Sequence, residues 1–225
     1  MKVMILAAGR GERMRPLTDH TPKPLLKAGG KPLIVWHLER LAKAGFKEVV
    51  INHAHFGEQI EKVLGDGSQL NLHIQYSPEK TALETAGGIA NALPLLGSEP
   101  FLVVNGDTFI EIDFSGLKHA LRPNIHAHLV LVNNPPQHPN GDFAIEDGVL
   151  KNTGTPMLTF SGVGVYHPAL FANITRGEPS RLAPLLRQAI SDNQATAEFY
   201  QGVWHDIGTP ERLNMLDSEL KLRMS

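Results

Sequence analysis

Three cations, Arg13, Arg15 and Lys23, lie close to a run of small residues, Ala7-Ala8-Gly9-Arg10-Gly11. Small side chains let another group approach the main chain closely. Amide donors beside cations are what a polyphosphate needs: hydrogen bonds for its oxygens and countercharge for its anions. A carboxylate, Asp107, follows Val103-Val104-Asn105-Gly106. Just past an apolar run and behind a glycine, it is well placed to hold a divalent cation. Mg²⁺ favours oxygen ligands, usually one or two carboxylates plus phosphate oxygens. By residue type alone both segments read equally well as ordinary turns, the first with solvated arginines.

Other chemistries fit poorly. Gly9-x-Gly11 has no third glycine for a dinucleotide fingerprint and no Gly-Lys-Ser/Thr for a P-loop. An oxidoreductase would also need an acidic residue ending the second strand, where Asn52 stands. Of eleven histidines, His53-x-His55 is the best pair, but no aspartate or glutamate completes a hydrolytic metal pattern. Both are expected on the loop after the second strand. No Ser-His-Asp arrangement is evident.

The elements that must position these residues follow from hydrophobic periodicity. Strands are expected at 3–6, 48–52, 72–76, 101–105, 127–132 and 158–166, and helices at 33–43, 59–64, 182–190 and 210–222. Segments 141–145 and 149–150 read as a hairpin around Asp147-Gly148. Segments 198–200 and 203–206 resemble the arms of a second hairpin around Gly202. Alternating strands and helices predict an α/β fold with a mostly parallel sheet flanked by helices. In such sheets ligands bind beyond the carboxyl ends of the strands, where these motifs fall. No linker divides the chain, so one domain over residues 1–225 is expected.

Composition narrows the partners. The chain is 42% hydrophobic and 20% charged, with a formal net charge of −2. Nothing draws it generally to nucleic acid or to an anionic membrane, so any anion site must be local. It has no cysteine, which suits a reducing compartment. Its start is neither a signal peptide nor a membrane span, and a cytoplasmic protein is expected.

The whole string L-A-A-G-x-G-x-R-M-x-P-L-T, then T-P-K-P-L, closely resembles the signature loop of the sugar-1-phosphate nucleotidyltransferases. The resemblance implies their Rossmann-like fold with small β-hairpin insertions. It also implies their reaction: a nucleoside triphosphate and a sugar 1-phosphate give a nucleotide sugar and pyrophosphate. Leu6, Ala8, Gly9, Gly11 and Glu12 would then contact the nucleotide, Arg13 the departing phosphates and Lys23 the reacting ones. The V-x-x-G-D match gives Asp107 to Mg²⁺ and Asn105 to the sugar. Trp204-x-Asp206-Ile207-Gly208-Thr209-Pro210 matches a W-x-D-I/V-G-T-P segment and gives Asp206 as the second Mg²⁺ ligand. Leu83-Glu84-Thr85-Ala86-Gly87 looks like L-G-T-A-G, beside the base and sugar. It implies nucleotide contacts at Pro78, Thr85 and Gly87 and a sugar contact at Gly88. Glu84 departs from the family's glycine there, and Thr85 could also cap a helix. Gly141, Asp142, Ser161 and Gly162 fall where the family contacts the sugar, although its Glu-Lys-Pro segment is missing between them and Lys151 is no clear replacement.

Shorter strings resemble the branch that joins UTP to N-acetylmuramate 1-phosphate: I-N-H-A at 51–54, L-G-D-G-S at 64–68, Y-S-P-E at 76–79, L-E-T-A-G-G-I at 83–89, G-D-F at 141–143 and L-T-F-S-G at 158–162. Mannose-1-phosphate guanylyl transfer and glucose-1-phosphate thymidylyl transfer are the alternatives within the class. A non-catalytic nucleotide-sugar-binding regulatory domain is the alternative outside it. Such a domain could lose a metal carboxylate or the lysine, whereas Arg13, Lys23, Asp107 and Asp206 are all present.

Overall fold

A computed structural model describes residues 1–224. The chain opens with β1 (Val3–Leu6), followed by the small hairpin of β2 (Lys27–Ala28) and β3 (Lys31–Pro32) and by α1 (Leu33–Lys43). β4 (Glu48–His53) leads into α2 (Gly57–Leu64), and β5 (His73–Pro78) into α3 (Glu84–Leu96). β6 (Phe101–Asn105), β7 (Thr108–Ile110) and β8 (Ala127–Val132) come next. β9 (Phe143–Glu146) and β10 (Val149–Lys151) form an antiparallel hairpin, as expected. Its two turn residues, Asp147 and Gly148, both have positive φ, which matches the right-handed twist of the flanking strands. β11 (Met157–Tyr166), α4 (Leu182–Ser191), β12 (Ala195–Phe199), β13 (Trp204–Asp206) and α5 (Pro210–Met224) complete the fold.

One sheet runs in the order β10-β9-β11-β6-β1-β4-β5, with β8 against β11 and β12 against β8. The β6-β1-β4-β5 half is parallel, and β11 is antiparallel to β6 and to β8. Alternate residues of a strand point to opposite faces. Val3, Ile5, Val49 and Ile51 therefore pack on Ile34 and Leu38 of α1 and Ile60 of α2. Met4, Val50 and Val103 pack on Ala86 and Ile89 of α3 and Leu186 of α4. Burial on both faces is why β1 and β6 read as continuous apolar runs. α5 packs Leu213, Leu216 and Leu220 with Met14, Leu33 and Phe109 in a separate cluster. Among the described residues, no helix is long and apolar enough to cross a membrane.

Two expectations are corrected. Segments 198–200 and 203–206 are not a hairpin: β12 pairs parallel with β8, and β13 pairs antiparallel with β7. Short strands choose partners by tertiary packing, which the bend at Gly202 does not reveal. His53 is the buried last residue of β4, not a loop residue, and its ring Nε2 lies 2.7 Å from Glu61 Oε1. The ring fills space that only Gly57 leaves free, since a Cβ there would come within 1.8 Å of it.

His37 of α1 is fully buried under β7, and its Nε2 donates to Thr108 O at 2.7 Å. Burial pushes its pKa down from 6.5 to about 4. The unfolded chain therefore binds a proton that the folded chain refuses. The neutral ring contributes its full stability above pH 6.5, and that stability is lost as pH falls from 6.5 toward 4. The fall should amount to roughly 3 kcal/mol by pH 4. Urea unfolding at pH 7, 5.5 and 4.5 checks this, and His37→Gln should remove most of the decline.

Candidate active site

β1 sits between β4 and β6, in a register that sets Leu6 beside Asn52 and Asn105. The segments leaving these strands therefore meet at one end of the sheet. They enclose a cavity of about 550 Å³. One wall is the loop after β1, with Ala8, Gly9 and Gly11 among its residues. Gly11 has φ +66°, and a Cβ there would come within 2.9 Å of the Thr18 side chain. This turn requires glycine. Gly11 precedes a 3₁₀ turn at Glu12–Met14, which carries Glu12 and Arg13 to the cavity.

Lys23 starts a second 3₁₀ turn, and its side chain is only 9% exposed. Its Nζ donates to Asp107 Oδ2 at 2.9 Å. Asp107 reaches this place through Gly106, whose N–H donates to Leu6 O at 2.9 Å. A Cβ at Gly106 would stand 2.6 Å from that same oxygen. Thus glycine allows the loop after β6 to lie against the end of β1.

The opposite wall runs from Glu79 to Thr85. Asn52 joins the two walls: its Oδ1 accepts from Ala7 N at 2.9 Å and its Nδ2 donates to Glu79 Oε1 at 2.6 Å. Glu79 Oε2 accepts from Leu83 N at 3.0 Å. Burial raises the pKa of the Glu79 carboxyl, against the lowering effect of these hydrogen bonds. Ala7, Asn52 and Glu79 were not singled out as site residues from the sequence. The one available signal was polarity at the end of an apolar strand, Val49-Val50-Ile51-Asn52.

Leu6, Ala8, Gly9, Gly11, Glu12, Arg13, Lys23, Thr85, Asn105 and Asp107 all line the cavity, as their proposed roles require. The other expected site residues are not among those that line it. Pro78 ends β5 and is exposed. Thr85 is already inside α3, so it is not the cap; the helix begins at Glu84. Gly87 lies against a second segment, where its added Cβ would meet Glu178 O at 2.4 Å. Gly88 makes room for Glu79 and Asn52, and Gly162 for the side chain of Asn105. Ser161 is fully buried and its hydroxyl accepts from Val163 N at 3.1 Å. Asp142 accepts from Phe160 N at 2.8 Å, and Gly141 has φ +62° beside Leu158.

Asp206 is brought to Asp107 by the main chain. It pairs with Thr108 across β7 and β13, and Ile207 N donates to Asp107 O at 3.0 Å. Its Oδ2 accepts from Arg212, which is on the first turn of α5. Lys23 and Arg212 thus each hold one oxygen of a carboxylate, and Oδ1 of each has no hydrogen bond among the described residues. No group of three or more potential metal-ligating side chains occurs among the described residues. Two carboxylates with free oxygens suit a hard cation that takes its remaining ligands from phosphate and water. The cavity's charge balance agrees: Arg13 and Lys23 face Glu12, Glu79, Glu84 and Asp107. A triphosphate would need further positive charge there.

Comparison with known proteins points the same way. Residues 2–148 match the family model described as Nucleotidyl transferase. The chain is 56% identical over 220 residues to an N-acetylmuramate alpha-1-phosphate uridylyltransferase of Neisseria meningitidis, covering 95% of each protein. It is 35% identical to one of the same description from Caulobacter vibrioides, covering 92% of each. Its fold is shared with a Bacillus anthracis protein provisionally described as a glucose-1-phosphate thymidylyltransferase and crystallised with sucrose. The TM-score is 0.86 at 21% identity, over 98% of this chain and 95% of that one.

Gly162 provides a test of how the cavity is supported. It has φ +83°, and a Cβ there would press on the Asn105 side chain at 2.6 Å. Gly162→Ala should destabilise the protein by about 2–4 kcal/mol, from backbone strain plus overpacking. The urea midpoint measures it.

Proposed function

Since the chain belongs to the nucleotidyl transferase family, we propose that it transfers UMP from UTP to N-acetylmuramate 1-phosphate, releasing UDP-N-acetylmuramate and pyrophosphate. The observation that carries the reaction class is the buried Lys23, paired with Asp107 across from the glycine-containing loop. The choice of sugar and base follows the two uridylyltransferase relatives.

In this reading an oxygen of the sugar phosphate attacks the α-phosphorus of UTP. A new P–O bond forms, and the bond to the bridging oxygen of the β-phosphate breaks. Pyrophosphate leaves with that electron pair. The attacking oxygen is already anionic near neutral pH, so no general base is required. The catalytic task is positioning and charge stabilisation. Arg13 offsets charge on the departing pyrophosphate. Lys23 offsets the repulsion between the two phosphates that must meet. The loop after β1 supplies amide donors from Ala8, Gly9 and Gly11. Asp107 and Asp206 would hold the divalent cation, Mg²⁺ in this proposal, which when bound supplies Lewis-acid polarisation of the α-phosphate. Thr85 would touch the nucleotide and Asn105 the sugar. Residues 1–225 would act as one catalytic unit in the cytoplasm, in recycling of cell-wall amino sugars, without nucleic acid or membrane.

Asp107→Asn and Lys23→Ala should each lower turnover by at least ~100-fold, the usual loss for one charge-stabilising group. Pyrophosphate release measures this, and near-normal turnover in either variant would remove that residue from the mechanism. The substrate is tested by crossing UTP, dTTP, GTP, CTP and ATP with the 1-phosphates of N-acetylmuramate, N-acetylglucosamine, glucose and mannose. Turnover should concentrate on UTP with N-acetylmuramate 1-phosphate. A peak elsewhere discards the proposed substrate and keeps the class.

A further inference from the structure

Each of the two carboxylates assigned to the divalent cation already has a cationic side chain of its own. Lys23 Nζ donates to Asp107 Oδ2, and Arg212 Nη1 donates to Asp206 Oδ2. The two pairs are held differently. Lys23 lines the cavity, so a phosphate entering there can draw it away from Asp107. Arg212 is not among the lining residues, and its guanidinium crosses Gly208, which is. A Cβ at Gly208 would collide with Arg212 Nη2 and come within 3.2 Å of Asp206 Oδ1. Glycine at 208 therefore lets the guanidinium reach Asp206. Behind it, α5 is anchored by Leu213, Leu216 and Leu220 in an apolar cluster.

Arg212 also breaks a local rule. It stands in the first turn of α5, the end at which the helix dipole favours an anion. Glu211 obeys that preference, as do Lys221 and Arg223 in the last turn. A cation at the wrong end costs the helix some stability. Departures from local preference are expected where function requires them. Here the departure places a fixed positive charge on Asp206.

Such a charge has two opposed effects on a divalent cation. Holding Oδ2 orients the carboxylate, which favours the ion. The charge itself repels the ion, and at side chains only 20% and 26% exposed solvent screens it incompletely. The repulsion is the larger effect. It is a full charge acting on a double one at close range, whereas orientation removes only the freedom of one short side chain. From these observations we infer that Arg212 is a positioning residue that governs when the cation enters. By balancing Asp206 it keeps the two carboxylates from taking up a free divalent cation, and the cation comes in with the phosphates of the nucleotide. This rests on the nucleotidyltransferase reading of the site and deepens it.

The test uses binding and does not depend on turnover. Mn²⁺ is titrated without nucleotide, the free ion being followed by its spin-resonance signal. UTP is titrated by calorimetry with EDTA present. Both are done on wild type, Arg212→Gln, Arg212→Met and Arg212→Lys. An unpaired Asp206 is exposed enough to remain hydrated, so the two neutral variants should fold, and either one suffices for the comparison. They should bind Mn²⁺ at least ~10-fold more tightly than wild type and metal-free UTP at least ~3-fold more weakly. Opposite shifts for cation and anion mark a charge, whereas a structural loss would weaken both. Arg212→Lys keeps the charge and should stay near wild type on both measures. Unchanged or weaker Mn²⁺ binding in the neutral variants overturns the inference, as does a lysine variant that shifts as far as they do. A wild type that behaves as expected here but makes no nucleotide sugar defeats the proposed reaction and leaves the inference standing. Failure of all four proteins to bind UTP overturns both.

Discussion

The site depends on a register. Leu6 lies beside Asn52 on one side and Asn105 on the other, because β1 is hydrogen-bonded in parallel to both neighbours. A slip of one residue would turn the apolar residues of β1 to the wrong faces, and both faces are packed. Core packing therefore fixes how far each strand extends. It thereby fixes where the chain stops being sheet and begins to bind. The carboxyl ends of β1, β4 and β6 reach the same level, and the backbone amides and side chains beyond them share one cavity.

At that level the segments must pass very close to one another, and small residues decide whether they can. Gly106 crosses the end of β1 with its N–H on Leu6 O. Gly88 leaves space for the Asn52–Glu79 pair, and Gly162 leaves space for Asn105. None of these three needs to touch a substrate to matter. Each sets the position of a side chain that lines the cavity. Ser161 and Asp142 accept hydrogen bonds from the backbone of β11. A motif residue can thus be required for the site because of what stands in front of it.

The parallel half of the fold was legible because its strands are buried on both faces and its helices are amphipathic. The apolar runs at 3–6 and 101–105 and the helical pattern at 33–43 each mark one element without ambiguity. The signature loop, Lys23 and Asp107 were legible through long motifs that resemble a known family's, and they line one cavity. The segment from 195 to 206 was not: its two short strands go to different sheets, and local pattern carries no record of the partner. Asn52 and Glu79 were also hidden. Their importance lies in meeting across two strand ends, 27 residues apart in sequence. Glu84 stood out as a departure from glycine, but only the backbone shows that it occupies glycine's conformation.

The electrostatic arrangement explains how a chain with net charge −2 can receive polyanions. The cavity does not rely on excess positive charge, since its carboxylates outnumber its cations. Its cations are instead held in set positions. Arg13 lies on the loop after β1, while Lys23 is buried against Asp107. Because Lys23 has a carboxylate partner, burying its ammonium costs less than burying it alone. An incoming phosphate can then compete for a cation that is already in place and oriented. The acids serve two other ends. Asp107 and Asp206 offer oxygens suited to a divalent cation, and Glu79 spends both its oxygens on hydrogen bonds within the wall. A site built in this way accepts a triphosphate together with its cation more readily than either alone, since each offsets the charge the other brings. In the proposed reaction, charge complementarity to a metal-bound nucleotide is therefore a property of the whole cavity.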